Sequence, residues 1–469
     1  MKFERDRLGY AFDGDYPESY GPVDQARLRS ILPQQLGQLG AAGVEQDIQL
    51  LGILMGRRCA NSVRAQVETR VRRDGSLCLV ARGEVVLPAA DAAAVQHLFE
   101  GFAQHKTNGP TVRMRPEKPV GSQVERMVYE CAAAKVAAWP NYLATMAAVA
   151  KGVGGPEPVP PPPPPPPPPG PALRTGAPGD TTGAAHGSRA GHRGPGPLTG
   201  NGRARIRVAV IDTGIPAAVR GDGWLDIPRT ADNIDELDVL PAGPDGLLDY
   251  QAGHGTFVAG IIQRVAPQAE LRMYRAADTD GFSTDDDVAN AILRAHDDGA
   301  QIINLSLGIR TVDDEPPPAT AEAVATVVRE SGGRTVLVAS AGNFGDRSVV
   351  WPAALDGVES VAGLTAYLTP ATWSSYGDVR FSTVAEGIRS TFVSGVESPV
   401  FDPSPDTFGD DPWAVWSGTS FAAPQIAGAV ARISYEEGCE PRAAVDKLDA
   451  YGKAIVGYGK AMRILPGIS

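Results

Sequence analysis

The chain has 469 residues, with 43 Lys and Arg against 55 Asp and Glu and 43% hydrophobic residues, giving a formal charge of −12. That length exceeds one ordinary domain, and the acidic balance argues against nucleic acid as a partner. Four cysteines, Cys59, Cys78, Cys131 and Cys439, are scattered without metal-ligand spacing, so no metal site, cofactor or disulfide framework is read, and free buried thiols are expected.

In chain order, the first 21 residues are charged and lack the apolar core of a secretory signal. Residues 24–40 and 44–55 read as helices, 63–86 as a hairpin turning at Asp74-Gly75, and 91–102 and 123–150 as helices. The apolar stretch 131–150 is interrupted by Lys135, Pro140 and Asn141, which argues against a membrane span, and a cytoplasmic location is expected. Residues 1–155 thus read as a separate small α+β or mostly helical domain. From Pro160 to Pro169 the chain is unbroken proline, followed by a Gly, Pro, Ala and Thr-rich stretch to Asn201. Residues 156–205 therefore read as a disordered linker, its proline run a polyproline II rod of about 31 Å.

Charge divides at the same place. Residues 206–469 carry 19 Lys and Arg against 37 Asp and Glu, a balance of −18, whereas residues 1–155 and 156–205 each carry +3. In the last portion, β-branched apolar runs at 206–211, 271–274, 302–307, 335–339 and 358–364 alternate with helical patterns at 256–264, 285–297 and 320–331, then two more from Ser420 and Arg442. Such alternation predicts an α/β fold: a parallel sheet with helices on both faces and a site outside the carboxyl ends of its strands.

Three strings carry the chemistry. VAVIDTG (208–214) ends a strand at Asp212, HGTFVAG (254–260) opens a helix at His254, and GTSFAAPQIAG (418–428) opens a helix of small residues at Ser420. A hydroxyl needs a neighbouring imidazole to take its proton, and the imidazolium needs a carboxylate on its other nitrogen. Taken singly, Asp212 could be a turn residue and Ser420 an N-cap. His296, the other histidine beyond the linker, reads as a solvent-side residue near a helix C-terminus.

The order Asp, His, Ser is the one known for subtilisin. With INLSLG (303–308), ASAGN (339–343), WSSYG (373–377) and GYGK (457–460) in the same order, residues from about 205 to the C-terminus resemble the subtilisin-like serine proteases, or subtilases. The resemblance implies a serine endopeptidase acting on protein or peptide substrates through an acyl-enzyme. It also implies that Asn343 and the Ser420 N–H form an oxyanion hole, and that Ser306, Leu307 and Gly308 receive the substrate backbone as an added strand. Without the family, Asn343 reads as a turn residue and Ser306–Gly308 as a buried strand and turn.

By the same resemblance DTDGFSTDDDV (278–288) lies where the family shapes its substrate pockets, so Asp278 and Asp280 are candidate specificity residues for basic side chains. Asp285, Asp286 and Asp287 read instead as first-turn residues of a helix capped by Ser283 or Thr284. Exported subtilases carry a small inhibitory βαββαβ propeptide directly before the catalytic domain, and that pattern is not legible in residues 1–155. Those residues are expected to restrain the enzyme through an intramolecular contact or to target it. The rival readings are a catalytically silent scaffold and a dedicated processing protease for one partner protein.

Overall fold

Val208 and Val210 point to one side of a strand and Ala209 and Ile211 to the other, and all four are fully buried. A strand covered on both faces has no polar side, which is why its sequence is an unbroken apolar run. The structure, a computed structural model, describes residues 27, 44–59, 65–106, 109–119, 123–146, 155–161, 204–402 and 404–467. The helix expected at 24–40 therefore lies outside the described residues, apart from Arg27, as does the linker from 162 to 203.

The N-terminal portion comprises α1 (Val44–Cys59), β1 (Val67–Val71), β2 (Leu77–Pro88), α2 (Ala92–Val95) with a 3-10 turn (Gln96–Leu98), β3 (Phe102–Lys106), β4 (Thr111–Pro116), α3 (Gln123–Ala133) and β5 (Trp139–Met146); β6 (Glu157–Val159) follows and pairs with the C-terminal portion. The C-terminal portion begins with β7 (Arg207–Asp212), α4 (His254–Val265), β8 (Glu270–Arg275), β9 (Phe282–Thr284), α5 (Asp285–Asp297), β10 (Ile302–Leu305), β11 (Leu307–Ile309) and α6 (Pro318–Ser331). It continues with β12 (Val336–Ser340), β13 (Val358–Leu364), β14 (Phe381–Val384), β15 (Ile388–Thr391), β16 (Gly395–Val396), β17 (Thr407–Phe408), β18 (Trp413–Trp416), α7 (Ala423–Glu437), α8 (Pro441–Tyr451), β19 (Lys453–Ile455) and β20 (Gly459–Met462).

The main sheet runs β19-β20-β14-β13-β12-β10-β7-β8, parallel from β20 to β8 with β19 antiparallel at the edge. Helices α4 and α7 pack on the face that carries Val208 and Val210, and α5 and α6 on the face of Ala209 and Ile211. The parallel sheet covered on both faces is as the sequence predicts. Thr284 caps α5 by accepting from Asp287 N at 3.2 Å. Asp285 and Asp286 are buried rather than solvated, and Asp285 accepts from the N–H groups of Ala319 and Thr320, tying α5 to the start of α6.

The hairpin forms as expected, but the helix read over 123–150 stops at Ala133 and 139–146 is a strand. Pro140 explains the break: it lacks an N–H and biases Trp139 toward extended backbone. The helix read over 91–102 shrinks to one turn and a 3-10 turn before β3. From β2 to β5 the element order is βαββαβ, an order that is not legible in the sequence. The antiparallel path β3-β4-β2-β5-β11, with β9 also on β5, runs from the N-terminal portion into the C-terminal one without a gap. Cys78, Val80, Tyr142, Ala144 and Met146 share a core with α5 and α6. The stretch read as linker from 156 begins with an ordered strand, since β6 pairs with β18. The four cysteines are free, with Cys59 exposed and Cys78 and Cys131 buried.

Candidate active site

Asp212 ends β7 at the carboxyl edge of the sheet, His254 is the first residue of α4, and Ser420 lies in a 3-10 turn (Thr419–Phe421) ahead of α7. His254 Nδ1 and Asp212 Oδ1 are 2.7 Å apart, and both side chains are fully buried. Asp212 Oδ1 also accepts from Thr213 N at 2.7 Å, which fixes the carboxylate against the imidazole. Edge-on contact with Trp416 and a tilted contact with Phe421, at 5.7 and 5.5 Å between ring centroids, hold the imidazole plane.

Two residues that sequence reasoning missed join the strand end to the helix start. Asp235 accepts from Thr213 Oγ1 at 3.0 Å and from Gly253 N at 2.9 Å, while Thr213 Oγ1 accepts from Gly255 N at 3.1 Å. Burial raises the Asp235 carboxyl to about 6 despite these bonds, with the Asp212 charge adding to the rise. Thr213 follows the recognised Asp and could have been found there; Asp235 lies in an acidic loop with no such mark. Gly255 is needed because a Cβ there would sit 2.4 Å from Gly214 O.

Ser420 Oγ donates to Ser306 O at 3.0 Å, while His254 Nε2 is buried without a hydrogen-bond partner. The hydroxyl is thus turned to the Ser306 carbonyl, and the outer nitrogen of the imidazole is unpaired. Asn343 Oδ1 accepts from Thr419 N at 3.0 Å and Thr419 Oγ1 at 2.8 Å. A backbone N–H needs an acceptor, so the amide can only be oriented this way, leaving Nδ2 a buried donor with no partner. Thr419, beside the recognised serine, orients that donor.

Ser306 Oγ donates to Ser420 O at 2.8 Å, and Leu307 and Gly308 form β11. On that edge Leu307 faces Met146, Gly308 faces Thr145 and Ile309 faces Ala144. On the other side Thr284, Ser283 and Phe282 face Leu143, Ala144 and Thr145, and Met146 N donates to Gly281 O at 3.2 Å. The end of β5 is therefore clasped between two edges of the C-terminal portion and aimed at Ser306. Asp278 and Asp280, the candidate specificity residues, are buried and paired with Arg58 and Arg57 of α1.

A parallel α/β sheet that brings a buried Asp–His pair, a serine at a helix start and an unspent amide donor to one edge has the layout of a serine hydrolase. The model of the subtilase family matches residues 203–442. The chain belongs to the subtilase family. It is 30% identical over 243 residues to the thermophilic serine proteinase of Bacillus sp. (strain AK1), covering 50% of this chain and 53% of that protein. It is 30% identical over 249 residues to subtilisin BL of Lederbergia lenta, covering 50% of this chain and 77% of that protein. Among solved structures, a lanthipeptide protease is similar at 22% identity and a TM-score of 0.44, covering 56% of this chain and 86% of that one.

Proposed function

We propose that the protein is a serine endopeptidase that uses Asp212, His254 and Ser420 to cleave peptide bonds, and that its N-terminal portion holds it shut by occupying the substrate's place. Turning Ser420 Oγ from Ser306 O to His254 Nε2 lets the imidazole take the hydroxyl proton as the oxygen attacks the scissile carbonyl. Asn343 Nδ2 and the Ser420 N–H meet the oxyanion, and the imidazolium, balanced by Asp212, returns the proton to the departing amine. A water then repeats the sequence on the acyl-enzyme, releasing the acid and restoring Ser420.

The observation that carries this reading is the fully buried Asp212–His254 pair whose outer nitrogen has no partner. A buried polar atom left unpaired is costly, and here the use is acceptance of a proton. Restraint follows from β5, because an extended substrate adds to the same two edges that already hold residues 143–146.

A fluorophosphonate probe on the full chain tests the chemistry. Wild type is expected to be labelled and Ser420→Ala not, and the probe should react faster when β5 is loosened by Thr145→Pro. Absence of labelling in wild type and in the loosened chain would favour a silent scaffold.

A further inference from the structure

The last turn of α1 carries Arg57 and Arg58, and both side chains enter the C-terminal portion. Arg57 Nη2 is 2.5 Å from Asp249 Oδ1, Arg57 Nε is 3.6 Å from Asp280 Oδ2, and the guanidinium lies 5.0 Å from the Phe401 ring centroid. Arg58 Nη1 is 2.5 Å from Asp278 Oδ2, and its guanidinium lies 4.8 Å from the Phe282 ring centroid. Each cation thus has a carboxylate on one side and an aromatic ring on another, the pairing that suits a planar guanidinium.

The three carboxylates share a second property. Each uses one oxygen to accept backbone N–H groups of the C-terminal portion: Asp249 from Val239 and Leu240, Asp278 from Asp280 and Phe282, Asp280 from Tyr250. Each turns the other oxygen into the pocket. The three carboxylates are therefore held in place by backbone of the C-terminal portion and not by the arginines. Asp280 Oδ2 is buried, aimed inward and without a hydrogen-bond partner, so the two resident arginines leave acceptor capacity unspent. Burial raises the carboxyls of Asp249, to about 7, and of Asp280, as expected where three acids meet two cations.

Position gives the pocket a use. Phe282 lies on β9 opposite Thr145, and Leu143 shares a cluster with Phe282, Phe401 and Tyr250. Ala144 and Met146 point the other way, into the core of α5 and α6. Alternate residues of a peptide in the place of β5, those at the positions of Leu143 and Thr145, thus face the acidic pocket.

Resting on the proposed peptidase reading, we infer that Asp249, Asp278 and Asp280, with the rings of Phe282 and Phe401, form a recognition site for Lys and Arg side chains of peptide substrates. Arg57 and Arg58 fill it while the N-terminal portion is docked.

Two measurements on the full chain test this. In a Ser420→Ala background, Arg57→Gln with Arg58→Gln should bind acetyl-Arg-Arg-amide in calorimetry at least about tenfold more tightly than the chain that keeps its arginines. The gain should vanish with Asp278→Asn and Asp280→Asn, and acetyl-norleucyl-norleucine-amide should not bind. Equal binding of the two dipeptides, or of the vacated and filled chains, overturns the inference. With Ser420 intact, quenched peptides carrying Arg rather than norleucine at the two pocket-facing positions should be cleaved with about tenfold higher kcat/KM. This ratio does not depend on the fraction of enzyme that is open, and it decides the matter if the vacated chain does not fold. A ratio near one overturns the inference, whereas hydrolysis of neither peptide speaks against the peptidase reading and leaves the binding measurement to judge the pocket.

Discussion

Arg72 anchors the N-terminal hairpin to the C-terminal portion and bonds to none of the catalytic residues or the acidic-pocket residues. It is 4% exposed, its Nε donates to Thr311 O at 3.0 Å, and its Nη2 pairs with Asp314. Replacing it with Met keeps the apolar stem and removes both bonds to the C-terminal portion, together with those to Asp74 and Ser76 inside the hairpin, which do not bear on docking. Loss of a charge-assisted bond to a buried carbonyl costs about 1.5 to 3 kcal/mol. Asp314 is half exposed, so water takes over most of its share and that pair adds only about 0.5 kcal/mol. At 1.4 kcal/mol per factor of ten, a total of roughly 3 kcal/mol raises the open fraction about a hundredfold. Initial rates of peptide hydrolysis by full-length Arg72→Met should rise by that factor while circular dichroism stays unchanged. A folded variant whose rate remains within about threefold of wild type would refute the argument that docking of the N-terminal portion limits activity.

Asp212→Asn should leave the fold intact yet lower kcat by about four orders of magnitude, since the amide no longer holds and stabilises the imidazolium; near-native turnover would remove Asp212 from the mechanism. Gly255→Ala places a Cβ 2.4 Å from Gly214 O. It should cost about 1 to 3 kcal/mol in urea denaturation and lower kcat by moving His254, and an unchanged midpoint would contradict the close approach. Asp286 is raised to about 7, chiefly by burial and despite Arg113, with Asp285, Asp287 and Glu84 nearby. A folded carboxyl held above its unfolded value binds the extra proton in the folded state, so its contribution falls as pH rises from about 4 to 7, by at most about 1.4 kcal/mol per unit. Asp286→Asn should flatten the decline of the urea midpoint over that window, and parallel slopes for variant and wild type would show that another group is responsible.

The parallel sheet was legible because strands such as β7, β10 and β12 are buried on both faces and so read as continuous apolar runs. The Asp–His pair was legible because each partner ends or begins an element and sits in a distinctive string. β5 was not, because nothing local makes WPNYLATM a strand: it is held by β2 on one flank and, at its end, by two edges more than a hundred residues further along the chain. The same holds for Asp278 and Asp280, whose partners Arg58 and Arg57 lie at the end of a helix that carries no mark of what it touches. Thr419 and Asp235 act by orienting other groups, and such roles appear only once the distances are known.

β6 changes what kind of object the proline-rich stretch is. Its strand lies against β18, and the chain next enters the described structure just ahead of β7, so both ends of the stretch are fastened to the C-terminal portion. In sequence, then, the proline-rich stretch joins two points of one body, and residues 147–154 join the two portions. Lengthening a closed excursion costs only about 0.6 kcal/mol per doubling. Its length is therefore free to vary without altering the span of chain that joins the N-terminal portion to the C-terminal one.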